Sequence, residues 1–170
     1  MKKIYLSFIV LLIFSANAFA ATLTCVATGN WNAAATWAVT AGADADVIPD
    51  SDDDVVIDIW ATVTVNIANA ACANITIDGS TIGAGETAVL EFALSSQLTS
   101  SGTTTFKLQG SVDMTLGGTF ISGTWVYNAG PGLTYGIGKV IFTGNFTLPG
   151  GVGSAFVASF YDLEINDAGA

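Results

Sequence analysis

The sequence has no histidine and no arginine, and its four lysines stand against fourteen aspartates and glutamates. Without histidine there is no Ser-His-Asp triad and no His-ligated zinc. Without arginine there is no bidentate clamp for a phosphate. A formal net charge of −10 and a pI near 4.1 exclude nucleic-acid binding driven by phosphate neutralisation. Charged residues make up only 11% of the 170, and the mean hydropathy of +0.60 has the look of a membrane protein. That impression comes largely from the first twenty residues. No later stretch approaches the roughly 20 apolar residues of a spanning helix without polar interruption, so no transmembrane segment is expected in the mature chain.

What is present begins with Lys2 and Lys3, an apolar run from Ile4 to Phe14, and Ala18-Phe19-Ala20. A basic start, a short apolar stretch and a small-x-small triplet form a secretory signal peptide with cleavage after Ala20. The residues before Cys25 are Thr22-Leu23-Thr24, which lack the small residue that a lipoprotein signal places directly before its cysteine. Removing residues 1–20 leaves Lys107 and Lys139 against all fourteen carboxylates, a net charge of −12. Such a surface repels nucleic acid and anionic lipid and suits divalent cations and neutral partners. In an exported chain the pair Cys25 and Cys72 reads as a disulfide. Closing that loop is expected to stabilise by roughly 4 kcal/mol.

From Val55 onward, apolar and polar residues alternate with a period of two. Val55, Ile57 and Ile59 share one face, as do Val63, Val65 and Ile67, then Ile75 and Ile77, then Val112, Met114 and Leu116, then Tyr161, Leu163 and Ile165. Thr, Asn and Asp take the other face, the signature of half-buried strands. Gly-rich corners such as Gly83-Ala84-Gly85, Gly117-Gly118, Gly130-Pro131-Gly132 and Gly150-Gly151 separate the runs. No helix longer than one or two turns fits between them, so the chain is all-β. Asp78-Gly79 is the sole Asn-Gly or Asp-Gly hairpin signal. That favours a parallel β-helix, a solenoid, over the alternative antiparallel β-sandwich. The expected organisation is a signal peptide over 1–20, an N-terminal cap over 21–54 and β-helix coils over 55–170. Within the cap, Ala33-Ala34-Ala35 favours a helical turn capped by Asn32, and residues 38–54 read as loop. The expected core includes Ile57, Val63, Val65, Ile75, Ile77, Met114, Phe142, Leu163 and Ile165. The chain stops soon after a strand, which reads as the front part of a longer protein.

Three stretches in order carry a resemblance. They are Gly29-Asn-Trp31 with Thr36-Trp37, then Pro49-Asp-Ser-Asp-Asp-Asp-Val-Val-Ile57, then Thr62-Val-Thr-Val65 with Cys72-Ala-Asn-Ile-Thr-Ile77. The order resembles the N-terminal module of large secreted Bacteroidota proteins of the type IX secretion kind, and is similar to the G8 domain. Phe142-Thr-Gly144 and Phe160-Tyr-Asp-Leu-Glu-Ile-Asn166 resemble the later coils of the same proteins. Trp60-Ala61 stands where the usual Gly-His precedes the Thr-Val-Thr-Val strand. The resemblance implies a right-handed β-helix at the cell surface with an adhesive or scaffolding role, and it carries no catalytic motif.

Candidate site residues follow from residue chemistry. Six aspartates lie between Asp44 and Asp54. Hard cations take several oxygen ligands, and alternation along an extended segment points to Asp50, Asp52 and Asp54 as calcium ligands. The competing reading is a solvated turn in which Asp52 or Asp53 caps backbone amides. Trp60, Trp125 and Tyr127 are the candidates for glycan contact, while Trp31 and Trp37 read as a plug over the first coil. Asp162 and Glu164 share a strand face about 7 Å apart, a spacing that fits a glycosidase pair but also arises by chance in an acidic β protein. Asn74-Ile-Thr76 and Asn145-Phe-Thr147 match the glycosylation pattern and read as strand residues. No cofactor is expected, and calcium at the aspartate cluster is the one candidate ion. The expected partners are surface glycans or proteins, and the expected role is a non-catalytic scaffold or adhesin. The alternative is a carbohydrate-binding module, or a polysaccharide lyase or hydrolase on the same fold.

Overall fold

The computed structural model describes residues 20–58, 60–79, 87–107, 109–127, 132–144 and 160–166. Most of the signal segment, the corners at 83–85, 130–131 and 150–151, the Asn145 sequon and residues 167–170 lie outside them. Fourteen strands and one short 3-10 turn make up the described elements. In chain order they are β1 (Thr22–Cys25), β2 (Gly29–Asn30), the 3-10 turn (Ala34–Thr36), β3 (Trp37–Ala41), β4 (Asp54–Ile57) and β5 (Thr62–Val65). Next come β6 (Ala70–Cys72), β7 (Asn74–Ile77), β8 (Ala88–Phe92), β9 (Gln97–Phe106) and β10 (Gly110–Met114). The last are β11 (Thr119–Tyr127), β12 (Gly132–Tyr135), β13 (Lys139–Phe142) and β14 (Asp162–Ile165). No helix among the described residues is long and apolar enough to cross a membrane.

The fold is all-β. One sheet runs in the order β14-β13-β11-β9-β7-β4-β1-β3 with β6 beside β9, and the other in the order β12-β10-β8-β5-β2. From β4 to β13 the chain repeatedly leaves one sheet for the other and returns. Strands consecutive in sequence therefore do not pair there, and each ladder joins strands further apart. Among the described ladders β1–β3 is antiparallel and the rest are parallel. An antiparallel sandwich needs the opposite.

Parallel register stacks like on like. Val55 lies beside Ile75, and Ile57 beside Ile77 and then Phe106. Val63 lies beside Leu90 and then Val112. All of these are buried, with the alternate positions facing out. The stacked aliphatics run into an aromatic cluster in which Trp125 meets Phe106 edge-on at 5.0 Å and Phe142 at 4.8 Å. One polar pair lies inside, Thr104 Oγ1 and Ser122 Oγ at 2.7 Å, each satisfying the other.

Four expectations are corrected. Residues 38–41 belong to β3, which folds back on β1, because Ala38 and Val39 pair with Thr24 and Leu23 despite a weak strand pattern. Asn32 does not cap the 3-10 turn: its Oδ1 accepts from Asn66 Nδ2, and Ala33 occupies the cap. Leu163 and Ile165 are 39% and 60% exposed, because β14 ends its sheet and nothing described lies beyond it. Val140 and Phe142, one strand inward and in register with them, are buried.

The fourth correction is the disulfide: Cys25 and Cys72 are both free and buried. Cys25, the last residue of β1, lies beside the C-terminal end of β4, where its Sγ accepts the Asp58 N–H at 3.2 Å. Cys72 sits at the other end, directly before Ala73, whose N–H donates to the Asp53 carbonyl at 2.7 Å. Four to five strand residues at about 3.3 Å each separate the two levels. A disulfide needs Cα atoms within roughly 7 Å. Burial raises both thiols, and Cys72 is pushed up to about 12, so neither is a ready nucleophile. Native protein is expected to resist alkylation at both positions and to take up two labels once denatured without reductant. A labelling count of zero under those denaturing conditions refutes the register argument.

Candidate functional site

The aspartate segment folds as a turn. Pro49 and Asp50 begin it, and the Asp53 N–H returns to the Asp50 carbonyl at 3.3 Å. The alternation that selected Asp54 as a ligand holds only for extended chain, so Asp53 comes inward instead. Asp54 is already the first residue of β4, where its Oδ1 accepts from Asn74 Nδ2 at 2.7 Å. That bond, with Asn74 Oδ1 accepting the Thr103 N–H, gives Asn74 the structural place expected of it. Asp50, Asp52 and Asp53 are the carboxylates that converge, with one oxygen from each within 4.8 Å of the others.

Most of that carboxylate capacity goes to backbone amides. Asp53 is 3% exposed, and its two oxygens accept from Ala21 N at 2.9 Å and Asp50 N at 3.0 Å. Asp50 accepts from Asp52 N, Asp44 from Asp46 N and Asp46 from Ile48 N, each two residues on. These are Asx turns, the local reason aspartate is favoured here. A hard cation fits the convergence of Asp50, Asp52 and Asp53 chemically, but the hydrogen bonds already explain the cluster. Asp53 is one of the two residues that the turn reading names as an amide cap, and the Pro49-Asp50-Ser51-Asp52 pattern is the turn signal behind it.

The aromatic candidates separate. Trp60 is 70% exposed at the corner between β4 and β5. Its φ of 71° lies in the left-handed region, which is strained for a bulky side chain. Trp125 is buried in the aromatic cluster and cannot contact a glycan, which corrects its assignment. The cause is a register shift between Ser122 and Thr124 where β11 meets β9. Phe120 and Ser122 point inward, and past the shift the odd-numbered Trp125 does so too. Gly123 sits at the shift, where a Cβ would collide with the carbonyl oxygen of Gly102. Tyr127 pairs with Phe106 in β11, and its side chain lies outside the described residues.

Trp31 and Trp37 are both buried and meet edge-on at 5.4 Å, with Trp37 Nε1 donating to the Trp31 carbonyl at 2.8 Å. Both are therefore core side chains. Asp162 and Glu164 face Lys139, whose Nζ lies 4.0 and 2.6 Å from them. The hydrogen bond to Glu164 raises the lysine's pKa. The pair is thus held by a cation across the β13–β14 ladder. Asp113 accepts from both the N–H and the hydroxyl of Thr115.

No family model, no curated protein and no solved structure matches the chain.

A hydrogen bond to Asp52 holds the Asp50 carboxyl above its ordinary value near 3.8. Burial does the same to Asp53, opposed by the amides of Asp50 and Ala21 and aided by the charges of Asp50 and Asp44. Acids with raised folded pKa values contribute stability that is complete below 3.8 and lost as pH rises through the folded values. The unprocessed chain should therefore melt higher at about pH 4.5 than at pH 7. In the same experiment calcium and magnesium at equal ionic strength should raise the midpoint equally, by screening. A calcium-specific rise of about 3–5 °C would instead mark ligation.

Proposed function

We propose that the chain is part of an exported surface scaffold or adhesin, built as a right-handed parallel β-helix and without a catalytic role. The observation that carries this reading is the parallel, in-register stacking of both sheets from β4 onward, with apolar columns inside and mostly polar positions outside. Such a stack extends by repetition and leaves its corners free to vary. One row of corners is aliphatic: Leu94, Leu116 and Ile137 are all exposed, and Leu94 and Ile137 reach the same space above Gly117. An exposed apolar line on an otherwise acidic protein fits a protein partner. Export is supported by the signal-peptide pattern and by the resemblance to secreted Bacteroidota modules. On this reading the native protein is recovered outside the cell with Ala21 as its first residue, and it releases no products from polysaccharides. Recovery from the cytoplasm with Met1 intact would overturn it.

Trp60 favours a second reading, a carbohydrate-binding module for neutral glycans. A strained, exposed indole serves no packing purpose, and an aromatic face suits the apolar face of a pyranose ring. The other three tryptophans are buried, so Trp60 carries nearly all the quenching by acrylamide. A neutral polysaccharide that binds there should protect that indole, and Trp60→Ala should remove both quenching and binding. Unchanged quenching across cellulosic, xylan and mannan probes refutes this reading.

A further inference from the structure

The buried carboxylate of Asp53 and the predicted cleavage point meet at one atom. Ala21 is 2% exposed, and its backbone nitrogen donates to Asp53 Oδ1 at 2.9 Å. Ala20, one residue earlier, is exposed. The chain thus crosses from solvent to interior at the bond the small-x-small pattern marks for cleavage. Gly42 borders the crossing with φ +76°, where a Cβ would stand 2.6 Å from the Ala20 carbonyl oxygen. The closeness comes from β1 lying between β3 and β4, with Asp54 N donating to the Ala21 carbonyl at 2.8 Å.

We propose that signal-peptide removal does more than release the protein: the new α-ammonium of Ala21 is the buried counter-ion of Asp53 and locks the N-terminal cap. Hydrolysis of the Ala20–Ala21 amide consumes one water, leaves a carboxylate on Ala20, and leaves an amine on Ala21 that takes up a proton at neutral pH. The neutral amide hydrogen bond to Asp53 becomes a charge-assisted one. Asp53 has carboxylate neighbours in Asp44, Asp50 and Asp52. The two lysines of the mature chain are engaged elsewhere, Lys107 with Asp78 and Lys139 with Asp162 and Glu164. A buried charge without a partner is costly. The cation that the topology delivers to this one is the chain's own terminus. Cleavage has to precede docking of β1, because a protease needs Ala18–Ala21 extended and accessible.

The proposal rests on the export reading for where the chain is cut, but its test does not. Two forms of the mature protein are compared, one beginning at Ala21 and one carrying a single glycine before it. Both keep the N–H that bonds Asp53, and they differ in whether that nitrogen is charged. The Ala21 form should melt about 4 °C higher at pH 7. The difference should vanish in Asp53→Asn, and it should shrink as the pH falls far enough to protonate Asp53. If Asp53→Asn fails to fold, amine labelling takes its place: the native α-amine should react with cyanate at least tenfold more slowly than in denatured protein. Equal melting of the two forms overturns the proposal, as does a difference that survives Asp53→Asn or rapid labelling of the native terminus. Each of these leaves the export reading intact, which depends on where the protein is found.

Discussion

Parallel register between strands of the same sheet is the constraint on which the rest of the structure depends. A strand in this arrangement buries its inward side chains against equivalents in the strands on either side, as Ile77 does between Ile57 and Phe106. A slip of one residue would turn Ile75 and Ile77 outward and bring Thr76 in. The ladder hydrogen bonds and the apolar columns therefore enforce the same alignment. The buried Thr104–Ser122 pair adds a polar requirement, since each hydroxyl loses its partner if β9 and β11 move relative to each other.

The same constraint places the chemistry at the edges and corners. Inward positions are taken by the core and outward strand positions by a regular lattice, so irregular geometry collects where the chain passes between sheets. Trp60 projects from one such corner in a left-handed conformation. The aspartate turn lies between β3 and β4 of one sheet, across the intervening β1, and delivers Asp53 to the start of β1. Exposed Leu163 and Ile165 on β14 show what an inward position becomes without a covering strand.

The strands with clear alternation are legible in the sequence, and so is the burial of Trp31 and Trp37. β3 is not, because Ala38, Val39, Thr40 and Ala41 have too little contrast between faces for a period to emerge. Trp125 was misplaced because strict alternation cannot anticipate a shift at Gly123 that changes which parity faces inward. Alternation selects Asp54 over Asp53 only in extended chain, and the turn at Asp50–Asp53 breaks it. Compartment and an even cysteine count suggest pairing Cys25 with Cys72, and neither carries information about register.

Composition and period by themselves determined that this is an all-β, strongly acidic chain with no histidine or arginine chemistry, because those properties depend on residue identity and local order alone. Which carboxylate is buried, which tryptophan is exposed and whether two cysteines meet were decided by tertiary structure. Each depends on the alignment of strands far apart in sequence, and a displacement of one residue, about 3.3 Å along a strand, reverses the answer.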